Sequence, residues 1–424
     1  MTHLIIKNIG PVVNIDIQLN DINVFIGPQS SGKSTIAKII SYCSWIEKNT
    51  ILSSRGGDDF KEKLISFHNL DEAYFDFNSY LFYESGCCLI EAAGVDFEAK
   101  ISITLNKEVN RIFKNHKISY IPAERNFVAA IPSLGKYNEK HNSIISFLYD
   151  WFKAKQRYSN LHHFVVPIQE LECISYSYSK ENDVDQIILN NNKEIKLQNS
   201  SSGLQSIIPL LIVWNYSLNG VFEEERAQSP FEILHFEEKT KLLQEELIDK
   251  LDSLIASQKR LLEEYSNKND KFSKQIFKSI LRQQEEIANV MGLYSKYHYS
   301  HLIVEEPEQN LFPETQRDLV YYLLQSLNNG RDNRLVITTH SPYILYALNN
   351  CMIGYLVRNK IKNNELLSRN AWIDPNKVSV WEIHDGKLVS IQDDRTKTIG
   401  KHYFNRNMNS IMDEYYTMLK YLKL

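Results

Sequence analysis

The residues best suited to chemistry stand close to the start of the chain. Gly27, Gly32, Lys33 and Ser34 satisfy the spacing GxxxxGK[ST] within GPQSSGKST, Gly27 to Thr35. Those residue types fit the cradling of a phosphate chain. The glycines let the backbone turn tightly with its N–H groups pointing inward. Lysine supplies a cation, and the serine hydroxyl can ligate Mg2+. Pro28, Gln29, Ser30 and Ser31 complete the loop, and Thr35 follows it into the next element. A chance glycine–serine turn has the same letters, so context decides. INVFI (Ile22 to Ile26) reads as a buried strand, and STIAKIISYCSW has its apolar residues at helical spacing. A helix from about Lys33 to Trp45 is expected, its N-terminal dipole facing the anion.

A second group lies far downstream. In HLIVEEPEQNLFPE, from His301, a short apolar run is followed at once by Glu305, Glu306 and Glu308. A strand delivering two adjacent carboxylates to its end suits phosphoryl transfer to water. One carboxylate joins the Mg2+ shell and the next polarises the attacking water. Glu305 is assigned to the metal and Glu306 to the base. A solvated acidic turn reads alike in isolation; its company here argues for function. RLVITTHSPYIL comes next, a strand ending at His340. A histidine there can hydrogen-bond a terminal phosphate and register its loss.

The third group is QNSSSGLQSIIPLL, from Gln198. Ser202, Gly203 and Gln205 set a hydroxyl and bare N–H groups at a helix N-terminus, a second phosphate-binding arrangement. An ordinary serine N-cap explains the same residues locally. Their place in series with the other groups favours the first reading. Pro209 is expected to bend the helix that follows, Gly203 to Leu218.

Around these residues the elements can be sketched. LIIKNIGPVVNIDIQLNDINVFI holds turn pairs at Gly10-Pro11 and Asn20-Asp21. They divide it into three strands of an antiparallel meander that leads into the phosphate loop. Residues 50–117 and 127–197 have alternating, aromatic-rich pieces such as QELECISYSYS, and are expected to add β-sheet and a helical lobe. Between Gln205 and Glu305, Leu243, Leu247, Leu251, Leu254 and Leu261 fall near three-four spacing. Phe272, Ile276, Ile280 and Ile287 do so after a polar break. This predicts a solvated helical hairpin with a leucine seam. The chain closes with VSVWEIHDGKLVSI, a strand–turn–strand pattern, and an amphipathic helix from Tyr403 to Leu422.

Composition narrows the classes. The chain has 424 residues, is 43% hydrophobic and carries a net charge of −4. That fits a globular protein with a sizeable core and gives no bulk attraction to nucleic acid. The longest apolar run, IIPLLIVW, is too short to span a bilayer. Five cysteines without CxxC spacing, two of them adjacent, read as reduced thiols of a cytoplasmic protein. His162, His163, His298 and His301 have no carboxylate or cysteine at ligand spacing and read as structural or surface residues.

GPQSSGKST, SSGLQ, HLIVEEPE and ITTHSP, in that order, resemble the ABC-type ATPases of the SMC/RecF/OLD branch. ISYIPAERN (Ile118 to Asn126) and EPEQNLFPETQ resemble the ATPase subunits of bacterial phage-defence systems such as PARIS or Septu. The resemblance implies an α/β ATPase head with an N-terminal antiparallel β-subdomain, a helical lobe carrying the signature SSGLQ, and the hairpin insertion. The divisions are residues 1–235, 236–292 and 293–424. It implies ATP and Mg2+ as cofactors. It also implies a head-to-tail dimer or higher oligomer in which Ser202, Gly203 and Gln205 meet the ATP held by another copy. A separate effector, nuclease or toxin, is the implied partner, with no membrane involved. The alternative is a RecF/SMC-like repair ATPase that clamps DNA. Three departures stand out. Leu204 replaces the signature's second glycine, and Glu305 replaces the usual aspartate. Ala123 replaces the glutamine that usually senses Mg2+ and γ-phosphate: either Glu124 substitutes or the sensor lies elsewhere. Arg125 beside it could contact phosphate or pair with Glu124. No nuclease site is legible after His340.

Overall fold

The computed structural model describes residues 2–53, 59–103, 113–130, 142–159, 161–224, 296–361 and 366–422. The predicted hairpin, residues 236–292, lies outside the described residues, so that expectation is not addressed by the structure.

The fold is α/β, built on one large sheet. Its centre is five parallel strands: β7 (His116–Ile121), β12 (Tyr299–Glu305), β13 (Arg334–Thr339), β3 (Ile22–Ile26) and β14 (Val378–His384), side by side in that order. β15 (Lys387–Ser390) folds back antiparallel on β14 through a two-residue turn. Asp385 (φ 47°) and Gly386 (φ 69°) take left-handed conformations there, the pair that Asp-Gly supplies most readily. β15 pairs parallel with β2 (Val12–Leu19), and from there the sheet runs antiparallel through β1 (Thr2–Ile9), β4 (Phe75–Glu84), β5 (Cys88–Ala93) and β6 (Glu98–Ile103). Of the expected three-strand meander, β1 and β2 pair antiparallel, and residues 75–103 extend that part. The third strand, β3, is instead separated from β2 by β15 and β14 and lies parallel between β14 and β13, because its all-apolar run needs cover on both faces.

The central strands read as apolar runs because both their faces are covered. Ile22, Val24 and Ile26 pack on one face with Leu302, Val304, Leu335 and Ile337. Phe25, Ile303 and Val336 pack on the other. The second face is covered by α1 (Lys33–Ser53) and α2 (Phe60–His68). The first is covered by α3 (Ser143–Lys155), α4 (Ser202–Asn215), α5 (Pro313–Leu327) and α6 (Pro342–Val357). A four-stranded sheet, β8 (Phe164–Val165) to β11 (Glu194–Lys196), joins this lobe, and the loop after β11 leads straight into α4. α1 runs further than predicted, because Ile46 and Ile51 continue its buried face. α4 passes through Pro209 and ends at Asn215, giving way to a π-turn at Tyr216–Gly220. The final helix, α7 (Tyr403–Leu419), begins beside β14.

Candidate functional site

Parallel packing fixes where the motif residues meet. Ile26 pairs with Thr339, Thr338 with Glu305, and Val304 with Ile121. The phosphate loop, His340, Glu305–Glu306 and the turn at Ala123 therefore leave the carboxyl ends of four neighbouring strands. That edge is where open α/β sheets place ligands.

Residues 27–32 fold back into a closed loop. Ser30 (φ 57°) and Gly32 (φ 102°) take positive φ, and a Cβ at Gly32 would come within 2.9 Å of Val12 Cγ2. Only glycine fits there. Lys33 starts α1 and turns its ammonium into the loop. It donates to the carbonyls of Gly27 (3.0 Å) and Pro28 (2.6 Å) and reaches Ser31 Oγ at 3.4 Å. Burial lowers its pKa to about 8, while Glu306 and Glu308 pull the other way. The cation thus sits at the mouth of the loop in a weakly solvated setting, where Coulomb attraction is strong.

Glu305, the last residue of β12, is buried, and burial raises its pKa. Ser34, Lys38 and Tyr120 lie close enough to pull it back. Its Oε1 has no hydrogen-bond partner, nor has the Tyr120 hydroxyl. A buried, unpartnered carboxylate oxygen beside a serine hydroxyl is a hard oxygen pair. Such a pair suits Mg2+, which is typically held by one or two protein oxygens together with phosphate and water. The residues present fit the metal.

Glu306 is set differently. It is a non-glycine residue at φ 43°, and its N–H is held by the Thr338 carbonyl at 2.9 Å. Strain of this kind persists only where neighbours enforce it. Its carboxylate is half-buried and faces His340, with Oε1 and Nε2 3.4 Å apart. The contact with His340 holds its pKa below the usual carboxylate value. The two neighbouring glutamates are thereby split: one pushed up by burial, one kept ionised. Glu308, part-buried and raised by desolvation, accepts the backbone N–H of His340 at 2.6 Å and so positions the histidine.

Arg125 resolves differently from both readings of the sequence. It neither reaches toward a phosphate nor pairs with Glu124. It is fully buried, and its guanidinium donates to five backbone carbonyls. They belong to Ser206 (3.0 Å), Pro122 (3.2 Å), Glu305 (2.9 Å), Glu306 (2.8 Å) and Pro307 (3.4 Å). Three segments that are distant in sequence converge on this side chain: the turn after β7, α4, and the turn carrying Glu306. Sequence alone offered no signal for it beyond an arginine in an apolar-flanked stretch.

The signature residues stand at the start of α4. Ser201, not Ser202, is the N-cap, accepting the Leu204 N–H at 3.4 Å. Ser202 is exposed and Gly203 partly so. A Cβ on Gly203 would stand 3.0 Å from the Asn310 carbonyl, so the turn after β12 touches this helix end directly. Asn310 also donates to Ser206 Oγ at 3.0 Å. Gln205 turns back to the carbonyls of Gln198 (3.0 Å) and Ser200 (2.9 Å). Among the described residues, Ser202, Gly203 and Gln205 have no hydrogen bond to the phosphate loop of their own chain. His301 is buried in β12 against Ser44 at 3.1 Å, and no metal-binding cluster of histidine, cysteine, aspartate or glutamate occurs among the described residues.

The AAA ATPase domain family matches residues 294–345, the stretch from β12 past His340. Solved structures that the chain matches include the SMC head domain from Thermotoga maritima. It shows 11% identity and a TM-score of 0.36, covering 92% of this chain and 98% of that one. The recombination mediator RecF shows 12% identity and a TM-score of 0.32, covering 92% and 97%. The ATP-binding cassette MJ0796 shows 11% identity and a TM-score of 0.29, covering 91% and 96%. No curated protein matches the chain. No helix among the described residues is long and apolar enough to cross a membrane.

Proposed function

We propose that this chain is an ABC-type ATPase that binds ATP with Mg2+ and hydrolyses it. One observation carries the reading. Lys33, the Ser34–Glu305 oxygen pair and the Glu306–His340 pair stand together at one edge of the parallel sheet. Lys33 exchanges its loop carbonyls for phosphate oxygens. Ser34 and Glu305 would hold Mg2+, which supplies charge neutralisation along the triphosphate. Glu306, kept ionised, accepts a proton from the attacking water, and His340 faces the γ-phosphate. The exposed start of α4, Ser202 and Gly203, serves a second copy in head-to-tail pairing, so that ATP holds the pair together. The output passes to a separate effector, a nuclease or toxin, in anti-phage defence. Resemblance in ISYIPAERN and EPEQNLFPETQ supports that part, and the net charge of −4 weighs against the DNA-clamp alternative.

The test is Mg2+-dependent phosphate release together with ATP binding. Lys33→Ala should lose both; normal ATP affinity in that variant would remove the phosphate-loop assignment. DNA affinity that falls steeply with salt would move the output from effector control to DNA clamping.

A further inference from the structure

A cavity of about 600 Å³ opens on the outer side of the phosphate loop. Pro28, Ser30 and Ser31 form one wall, the β14–β15 turn at His384–Asp385 forms another, and Tyr403 and Asn407 at the root of α7 close it. From the sequence, none of these residues beyond the loop had a role in a site. Topology says what should enter. β3 delivers the phosphate loop between two neighbours, β13 on one side and β14 on the other. The groups suited to the γ-phosphate end, His340, Glu306 and Glu305, all lie on the β13–β12 side. A nucleotide whose γ end points that way must send its nucleoside end over β14, where the cavity lies.

We propose that this cavity takes the nucleoside of the bound nucleotide, with α7 as part of the binding wall. This deepens the ATPase reading and rests on it. The chemistry of the lining suits a nucleoside. Tyr403 and His384 are the flat rings available to a base, and Asp385 and Asn407 offer a carboxylate and an amide to hydroxyl and amino groups. The volume falls in the usual range for a small-molecule site. The wall is anchored. Glu382 of β14, buried, accepts the Tyr403 N–H at 2.8 Å and pairs with Arg406, so α7 is tied to the strand beside the loop. Base recognition would thus come from the C-terminal part of the chain, remote in sequence from GPQSSGKST.

Titration calorimetry of the full chain with Mg·ATP and with inorganic tripolyphosphate tests this. Asn407→Trp fills the cavity from an exposed helix position and leaves the Glu382 anchor intact. It should weaken ATP by at least roughly tenfold and leave tripolyphosphate within about twofold of wild type. Ser410→Trp, on the same wall, should repeat the result. Unchanged ATP affinity in both variants would overturn the nucleoside site while the phosphate loop stands. Equal weakening of ATP and tripolyphosphate would also overturn it. Failure of wild type to bind either ligand would remove the ATPase reading itself, and this inference with it.

Discussion

Replacing Arg125 by lysine perturbs the structure at the point where three segments meet. The guanidinium spreads five donors over five carbonyls in a fixed plane. An ammonium keeps the charge but has three donors. At least two carbonyls are left without their charged partner in a site that water does not reach. At about 1.5 kcal/mol for each such bond, the loss is about 3 kcal/mol. For a chain of 424 residues that lowers the melting temperature by about 3 °C. Function should fall beyond what stability explains, because the Glu306 carbonyl is one of the five and Glu306 sits at φ 43°. Slack in that turn lets the carboxylate drift from the attacking water. A shift of this sort costs about tenfold in kcat with KM little changed, since residues 27–35 are untouched. Thermal unfolding and steady-state phosphate release measure both. Glu124→Gln, next door but exposed, controls for the neighbourhood and should melt as wild type. If Arg125→Lys melts within about 1 °C of wild type and turns over at full rate, the three segments are held together by something else.

Further outcomes follow from the same geometry. Glu306→Gln should bind Mg·ATP normally and lose turnover by about 10²–10⁴-fold, as expected for a missing base; hydrolysis at the wild-type rate would place the base elsewhere. Gly203→Glu should bind ATP yet hydrolyse poorly; mixed with Lys33→Ala it should regain activity if the site is shared between copies, and a mixture as inactive as its parts would argue against sharing. Lys33 has a folded pKa of about 8, below its ordinary value, so it is charged at neutral pH and loses its proton as pH rises through 8. Phosphate binding favours the charged form and raises that pKa. Affinity for ATP should therefore fall above pH 8, and calorimetry at pH 8.5 in buffers of different ionisation enthalpy should show proton uptake; release would reverse the sign.

Much of the site was legible because its signals are local. A phosphate loop is defined by residues within one turn, and the apolar runs before Gly27, Glu305 and His340 mark buried parallel strands whose ends must align. The positions of Lys33, Glu305, Glu306 and His340 follow from that alignment. The β1–β2 hairpin and the β14–β15 turn were legible for the same reason: turn residues act on their immediate neighbours. The place of β3 was not, because its partners, β13 and β14, come more than 300 residues later in the chain. Helix ends were less so. α1 continues to Ser53 because tertiary burial of Ile46 and Ile51, and not any local stop signal, decides where it ends.

What the sequence hides is long-range. Arg125 reads as a phosphate contact or a partner of Glu124, and four of its five real partners are backbone atoms 81 and 180 to 182 positions away, which carry no side-chain identity to detect. Its effect is nonetheless chemical. The turn after β12 must do two incompatible things: end a strand with Glu305 facing inward, and at once swing Glu306 outward toward water. A left-handed residue does this, at a cost of about 1–3 kcal/mol. Arg125 offsets that cost by binding the carbonyls of Glu305, Glu306 and Pro307 together. Because the same guanidinium also binds the Ser206 carbonyl, α4 cannot shift without loosening the turn that aims Glu306. If a second copy presses on Ser202 and Gly203, the push is delivered to the Glu306 carboxylate through one buried side chain. On the ATPase reading, hydrolysis would then depend on pairing even though Lys33, Glu306 and His340 all stand in one chain.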